Sequence, residues 1–513
     1  MKFLRLLGMA AAVLVAVSAV RAQMWTPVQN VPNIGAGAIA LLTDGRVLVH
    51  DESGNPGTIG NWYTLTPDIY GHYETGTWTQ VASLPSGYGP KNFSSAVLPD
   101  GRYIIEGGQY NLGQEVNTTM GAIYDPVTGV WTSVNPPAGW TSIGAAPSVV
   151  LANGTYMQTD CCDGPPYLAA LLDSSTLTWT PTGTGKFDLY RQEGMTLLPG
   201  GKVLDVNAYF GTNMLMGMNY EMYDPSTGAW TMGGNASAQF WDAVCNPNYI
   251  GPAVLQPNGT VFQAGANCPM AGATGTYRPN RNNWAAGPFF PPCDLPSCEG
   301  DFYDVENGPA ALEVNGNVLV FASPGRRNTP GQMFEWNSST MSLSAAPNPP
   351  NGSNDPSIRG HLLMLPTGQI MFTDLSSDVE LFTPAPGQYA DWTPTVLLPD
   401  AITTLYQEEA AQLNGTNFNG ASQNNAYGAF FQDATNYPLV QLTSTHSPTN
   451  GQVYYPRTHD HSTMAVGYHG PTYTHVDLRN IPSGTYTLEI VVNGLRSRPS
   501  ATRIRPCCEL VQP

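Results

Sequence analysis

Leu98-Pro99-Asp100-Gly101-Arg102-Tyr103-Ile104-Ile105-Glu106-Gly107-Gly108 is the stretch whose reading decides the fold. A hydrophobic run ends at Leu98, an Asp-Gly turn follows, and a β-branched and aromatic run resumes until two glycines stop it. Asp bonds its local backbone and Gly takes positive φ, so this is a hairpin signal. Downstream, Ile123-Tyr124-Asp125-Pro126 reads as a third strand, and Val127-Thr128-Gly129 turns it into a fourth opening on Trp131. Two hairpins make a four-stranded unit. A small turn ending in glycine recurs at Gly45, Gly101, Gly154, Gly201, Gly259, Gly316 and Gly368, at intervals of 56, 53, 47, 58, 57 and 52 residues. A period near fifty with β flanks is the mark of a propeller. The fold class expected is all-β, a seven-bladed Kelch-type β-propeller over residues 23–394.

Tryptophans mark the fourth strands at Trp25, Trp78, Trp131, Trp179, Trp230 and Trp284, while the slot near Met341 lacks one. Each should wedge between neighbouring blades as a large apolar contact. Trp25 precedes the first glycine turn, so it belongs to a fourth strand without a blade of its own. Trp25-Thr26-Pro27-Val28 is therefore expected to complete the last blade, whose other strands come from about 360–384, and so to hide an open edge.

Residues 1–22 carry Lys2 and Arg5, an apolar stretch from Leu6 to Val20 and small residues before Gln23. This reads as a signal peptide, with the product secreted to an extracellular or periplasmic space. The apolar stretch is short for a membrane span, and no second one follows. Losing Lys2, Arg5 and Arg21 takes the formal net charge from −18 to −21, which disfavours nucleic acid and anionic membranes as partners. Export makes disulfides possible among the eight cysteines. Cys245/Cys268 and Cys293/Cys298 are plausible local bridges, and Cys161-Cys162 and Cys507-Cys508 are adjacent pairs whose connectivity stays open. No histidine lies beside a cysteine, which argues against a Cys/His zinc site.

The blade grammar stops near residue 395, and the short strands of 395–513 suggest an immunoglobulin-like β-sandwich. Five of the eight histidines fall there. In Thr458-His459-Asp460-His461, an extended chain would put His459 and His461 on one side, a spacing suited to chelation. The other reading is a polar loop hydrogen-bonded at the domain interface.

Leader, Kelch-like blades and terminal sandwich together resemble the galactose oxidase architecture, on motifs such as Leu98-Pro99-Asp100-Gly101-Arg102 and Tyr124-Asp125-Pro126. Such motifs speak for fold more than for chemistry. The resemblance implies a copper ion near the axis held by two tyrosines and two histidines, one tyrosine being cross-linked to a cysteine as a radical. Counted from the glycine turns, the cysteine position falls at Asn92 and the cross-linked tyrosine at Gln192, two residues after Tyr190. The tyrosine-histidine pair falls at Ile358-Arg359, and a two-residue slide recovers His361. His459 could supply the histidine of the inserted C-terminal loop. Without a thiol at Asn92 the cross-linked radical cannot form. The chain looks closer to secreted bacterial Kelch-repeat proteins of the galactose oxidase-like group that lack the copper set, whose signature includes stretches like Tyr455-Pro456-Arg457-Thr458-His459.

The expected function is binding of an extracellular ligand, a carbohydrate first, at the axial mouth near the C-terminal domain. Asn92, Tyr190, Arg191, Gln192, Glu193, Arg359, His361 and His459 are the expected ligand-binding residues, in a chain expected to be monomeric. The alternatives are a metal-dependent oxidoreductase holding one copper or zinc ion on His361, His459 and His461, and a non-catalytic structural surface protein.

Overall fold

The computed structural model describes residues 23–507 except 55–58, 163–165, 191–192, 208–218, 243–248, 268–269, 295–297, 299–301, 326, 388, 399–401, 429–430 and 432. The leader, Arg191, Gln192, Cys245, Cys268 and Cys508 lie outside the described residues.

Seven antiparallel sheets form the blades, six of four strands and one that gains a fifth. Blade 2 shows why. Asp100 accepts the backbone N–H of Arg102 at 3.0 Å while Gly101 sits at φ 82°, which turns Ser94–Val97 back onto Tyr103–Glu106. Asp125 caps the outer turn by accepting Val127 N–H at 2.8 Å, and Gly121–Asp125 runs on into Val130–Val134. The inner strands are Ala36–Leu41, Ser94–Val97, Ser148–Val150, Met195–Leu197, Ala253–Leu255, Pro309–Leu312 and His361–Met364. Each packs on the next, and the last packs on the first, so the ring is closed. Met24–Pro27 pairs with Glu380–Thr383 as the fourth strand of blade 7. The expected closure by the N-terminal strand is thus the observed one. The tryptophans do wedge between blades: Trp131 of blade 2 lies 5.2 Å from Trp62 of blade 1, ring to ring. Disulfides join Cys161 to Cys162 and Cys293 to Cys298.

The C-terminal β-sandwich has two sheets. One orders Thr395–Leu397, Ala411–Thr416, Pro471–Val476 and Thr458–His459. The other runs through Thr403–Tyr406, Ser500–Arg505, Gly484–Val492, Leu439–Ser444 and Val453–Tyr454. Leu413, Phe418, Leu442, Leu488 and Ile504 are buried between them.

Every one of the seven glycine turns meets this sandwich or the segment 389–392 that leads into it. Tyr455 covers Gly45, where a Cβ would fall 2.7 Å from its ring. Arg457 donates to Asp100 O at 2.9 Å, Met464 N–H to Ala152 O at 2.9 Å, and Gly467 lies on Pro199. Trp392 donates to Pro257 O at 2.9 Å, Tyr389 covers Gly316, and Arg496 donates to Pro366 O at 3.2 Å. From this face the segment 418–437 enters the axis. Asn425–Tyr427 pairs with Pro309–Leu312 as the fifth strand of blade 6. Gln423 accepts Leu197 N–H at 2.9 Å, Asn425 accepts Met364 N–H at 3.1 Å, and Tyr437 donates to Leu41 O.

Candidate functional site

The inner strands begin at the face opposite the sandwich, and a cavity of about 680 Å³ opens there. Its wall comes from the end of the second strand of blade 1 (His50, Asp51, Glu52), the entry to blade 2 (Gly89 to Asn92), Gln109 and Tyr110. Tyr249, Asn307, Arg327, Ile358, Arg359 and His361 extend it, and Tyr427 and Phe431 of the inserted segment form part of its wall. The expected location near the C-terminal domain is corrected: all the inner turns face the sandwich, so the mouth formed by strand starts is the distal one. Among the described residues, only the inserted segment brings the C-terminal domain to it.

His361 is the first residue of its inner strand and is buried. Its ring stacks on Tyr427 at 5.3 Å and meets the edge of Phe431 at 4.8 Å. Burial pulls its pKa down to about 4, although the Glu52 charge opposes this, so the imidazole is neutral at pH 7. His361 Nδ1 has no hydrogen-bond partner among the described residues and lies 4.0 Å from Asp433 Oδ2. Burial pushes the Asp433 carboxyl well above the usual carboxylate range. Glu52 behaves oppositely. Burial alone would raise it, but His50, Lys91 and His361 outweigh that and hold it at about 2. Its Oε1 also accepts Ala38 N–H at 3.1 Å. Asp51 is tied down too, accepting Gly35 N–H at 3.1 Å and Ser53 N–H at 3.0 Å. The acids of the wall are therefore buried and engaged, whereas Lys91, Arg327 and Arg359 are exposed. Lys91 keeps only a 4.0 Å approach to Glu52, and Arg359 a 3.4 Å contact with Asp355. In a strongly acidic chain, the charge turned toward this cavity is positive.

Of the residues expected to bind ligand, Asn92, Arg359 and His361 meet at this cavity. Asn92 takes φ 56° and donates to Gln109 Oε1 at 3.0 Å. Tyr190 and Glu193 do not join them. They belong to a cluster inside blade 4 around Lys186, whose Nζ lies 2.7 Å from Glu221, 3.2 Å from Asp205 and 3.6 Å from Glu193, and 5.2 Å from the ring centres of Tyr190 and Trp230. All of these side chains are buried, so this is a packed ion cluster within the blade. His50, Glu52, Lys91, Gln109, Tyr427 and Phe431 were not singled out from sequence. Carrying the count to the ends of the second strands would have reached His50 and Glu52, whereas nothing in residues 418–437 announces an insertion.

The shared site expected on His361, His459 and His461 is also corrected. His459 lies on the sandwich strand that crosses the inner turns: Thr458 N–H donates to Thr43 O at 3.1 Å and His461 N–H to Pro99 O at 3.2 Å. His361 is at the other end of the inner strands, a four-residue run that alone spans about 13 Å. Two ligands of one ion must each come within about 2 Å of it. The segment that does reach the axis, 418–437, contains no histidine. His461 is sealed in, with Nδ1 2.8 Å from Thr474 Oγ1, and burial brings its pKa down to about 3. What the structure brings together is His459, Asp460 and His475, which each offer a ligand atom within 4.8 Å of the others.

No known protein-family profile matches the sequence, and no curated protein matches it. Among solved structures the chain is similar to a fungal alcohol oxidase of the AA5 family, described as catalytically diverse and solved in complex with copper. The two share 14% identity at a TM-score of 0.52, over 94% of this chain and 99% of that one. It is also similar to YjhT, at 14% identity and a TM-score of 0.42, over 62% of this chain and 99% of that chain. The first likeness defines the class: an all-β protein of the galactose oxidase-like fold. The cross-linked copper set implied by that fold was tested against the cavity wall. Among the described residues no cysteine lines it, and Tyr190 is turned into the Lys186 cluster.

Proposed function

We propose that the chain is an exported binding propeller whose axial cavity holds a carbohydrate, with an acidic sugar preferred over a neutral one. The observation that carries the reading is the composition of one concave wall. Tyr110, Tyr249, Tyr427 and Phe431 offer aromatic surface, and Asn92, Gln109 and Asn307 offer amide groups beside them. Ligand pockets pair apolar surface with a few convergent polar groups in this way. The exposed Lys91, Arg327 and Arg359 suit a carboxylate, with which an arginine can form paired hydrogen bonds. The leader sequence and the two disulfides favour an oxidising, extracytoplasmic setting. In this reading Asn92 stands where a thiol would be required, and copper-radical chemistry is not part of the function.

The test is a glycan array followed by titration calorimetry with glucuronate, galacturonate, glucose and galactose. A retained acidic glycan is expected, weakened about tenfold in Arg359→Ala or Lys91→Ala by loss of a charge-assisted contact. An array with no retained glycan would end the carbohydrate reading. Equal affinity for acidic and neutral sugars would end the preference.

A further inference from the structure

The His459, Asp460 and His475 group lies on the sandwich, away from the axial cavity. His459 and His475 are directly opposed on the antiparallel pair formed by Thr458–His459 and Pro471–Val476. Opposed residues share a face with Cβ atoms about 5 Å apart, and these two rings lie 5.8 Å apart. Asp460, at φ 48°, turns the chain so that its carboxylate comes back beside the preceding ring.

The decisive contacts are those of His459. Its Nε2 lies 3.0 Å from the Glu409 carbonyl oxygen, which can only accept, so Nε2 carries a hydrogen. A neutral imidazole then has a bare lone pair on Nδ1. That nitrogen faces Asp460 Oδ2 at 2.7 Å, a second acceptor. Two lone pairs at this distance repel unless a cation lies with them, either a proton or a metal ion. The neighbour decides between these. His475 offers a ring nitrogen within 4.8 Å of both groups, and its buried Nδ1 has no hydrogen-bond partner among the described residues. A proton shared by His459 and Asp460 leaves that nitrogen unsatisfied, whereas a metal ion uses all three groups. The Glu409 contact is also the outer hydrogen bond that metal-bound histidines make through their second nitrogen.

The geometry points to a metal site on His459, Asp460 and His475 that takes a divalent zinc ion. Two imidazoles and a carboxylate form a three-ligand set for zinc, with the fourth position left to water. Asp460 is 60% exposed and gives the ion a route in. Bound there, zinc ties the Thr458–His459 strand to the strand behind it. The same strand rests on the inner turns of blades 1 and 2 through Thr458 and Arg457. The ion would therefore brace the seat of the sandwich on the propeller.

The experiment uses the full untagged chain, stripped with chelator and titrated with zinc chloride alone. Bound zinc is counted by elemental analysis after gel filtration, and thermal melting is followed in parallel. One zinc per chain is expected, with a higher melting temperature in the zinc-loaded form. Asp460→Asn, a change at an exposed side chain, and His475→Gln should each weaken zinc binding at least tenfold, while His361→Ala should keep one equivalent. Cobalt substitution should give a tetrahedral absorption band that Asp460→Asn abolishes, a readout that stands even if His475→Gln fails to fold. Absence of zinc uptake would overturn the proposal and leave His459 and Asp460 as a proton-bridged pair. Uptake unchanged in both ligand variants, or lost in His361→Ala, would overturn it equally.

Discussion

If Met24–Pro27 is the strand that closes the ring, Trp25→Ala should cost the propeller far more than its neighbour does. Trp25 sits 5.0 Å from Phe382 and 5.9 Å from Phe372, ring to ring, and donates to Pro347 O of the preceding blade at 2.7 Å. Truncating a fully buried tryptophan costs about 3–5 kcal/mol. Trp25 is half-buried, so about half of that is expected from packing, roughly 2 kcal/mol, with about 1 kcal/mol more from the lost hydrogen bond. A change of 1 kcal/mol moves Tm by about 2–4 °C in domains of 150–250 residues, so a fall of about 5 °C is expected in this larger ring. Met24→Ala is the control. It lies in the same strand, is 55% exposed, and should stay within about 0.5 kcal/mol. Deleting residues 23–32 goes further, since it bares the Glu380–Thr383 edge and should add aggregation to the loss of stability. Scanning fluorimetry and limited proteolysis at matched concentration measure both effects. A Trp25→Ala melt indistinguishable from Met24→Ala, or a deletion variant that melts with the parent, would refute the closure argument.

Lys186→Met should be among the most damaging single changes in the chain. It leaves Glu193, Asp205 and Glu221 buried without their cation, for a loss of about 3–5 kcal/mol, and a soluble variant with an unaltered melt would contradict this. Acid should weaken the fold through His361 and His461, whose folded pKa values are lowered to about 4 and about 3. The unfolded chain binds these protons near pH 6.5, so the stability is whole above that pH and falls as the pH drops toward 4 and then 3, by about 3 kcal/mol for His361. His361→Gln should flatten the upper part of that melting profile, and a profile identical to the parent's would show that His361 is not held neutral. The Glu52 share, from a pKa lowered to about 2, is present above pH 4.5 and is lost only below it.

The propeller was readable because it poses one local problem seven times. Each turn ends on a glycine at positive φ, and in five of the seven an Asp or Asn holds the next amide, so both leave a mark in sequence. The site was readable only as far as that repeat reaches. Asn92, Arg359 and His361 sit at equivalent strand starts, so counting from Gly101 and Gly368 found them. The same count placed Tyr190 and Glu193 at the right height, but height does not fix direction. A shift of one residue turns a side chain from one face of a strand to the other, and Lys186, with no place in the repeat, draws Tyr190 and Glu193 into blade 4. The C-terminal contribution obeys no repeat at all. His459 and His461 carried the visible chemistry, yet the residues that reach the axis are Tyr427, Phe431 and Asp433, from a polar stretch that bonds to blade backbone and packs on blade rings. Periodicity shows where a strand begins and ends. Where the inserted segment sits is decided by partners far along the chain, 396 residues away for Tyr437 and Leu41 O and 69 for Tyr427 and Ile358 O, and no short window of sequence contains both.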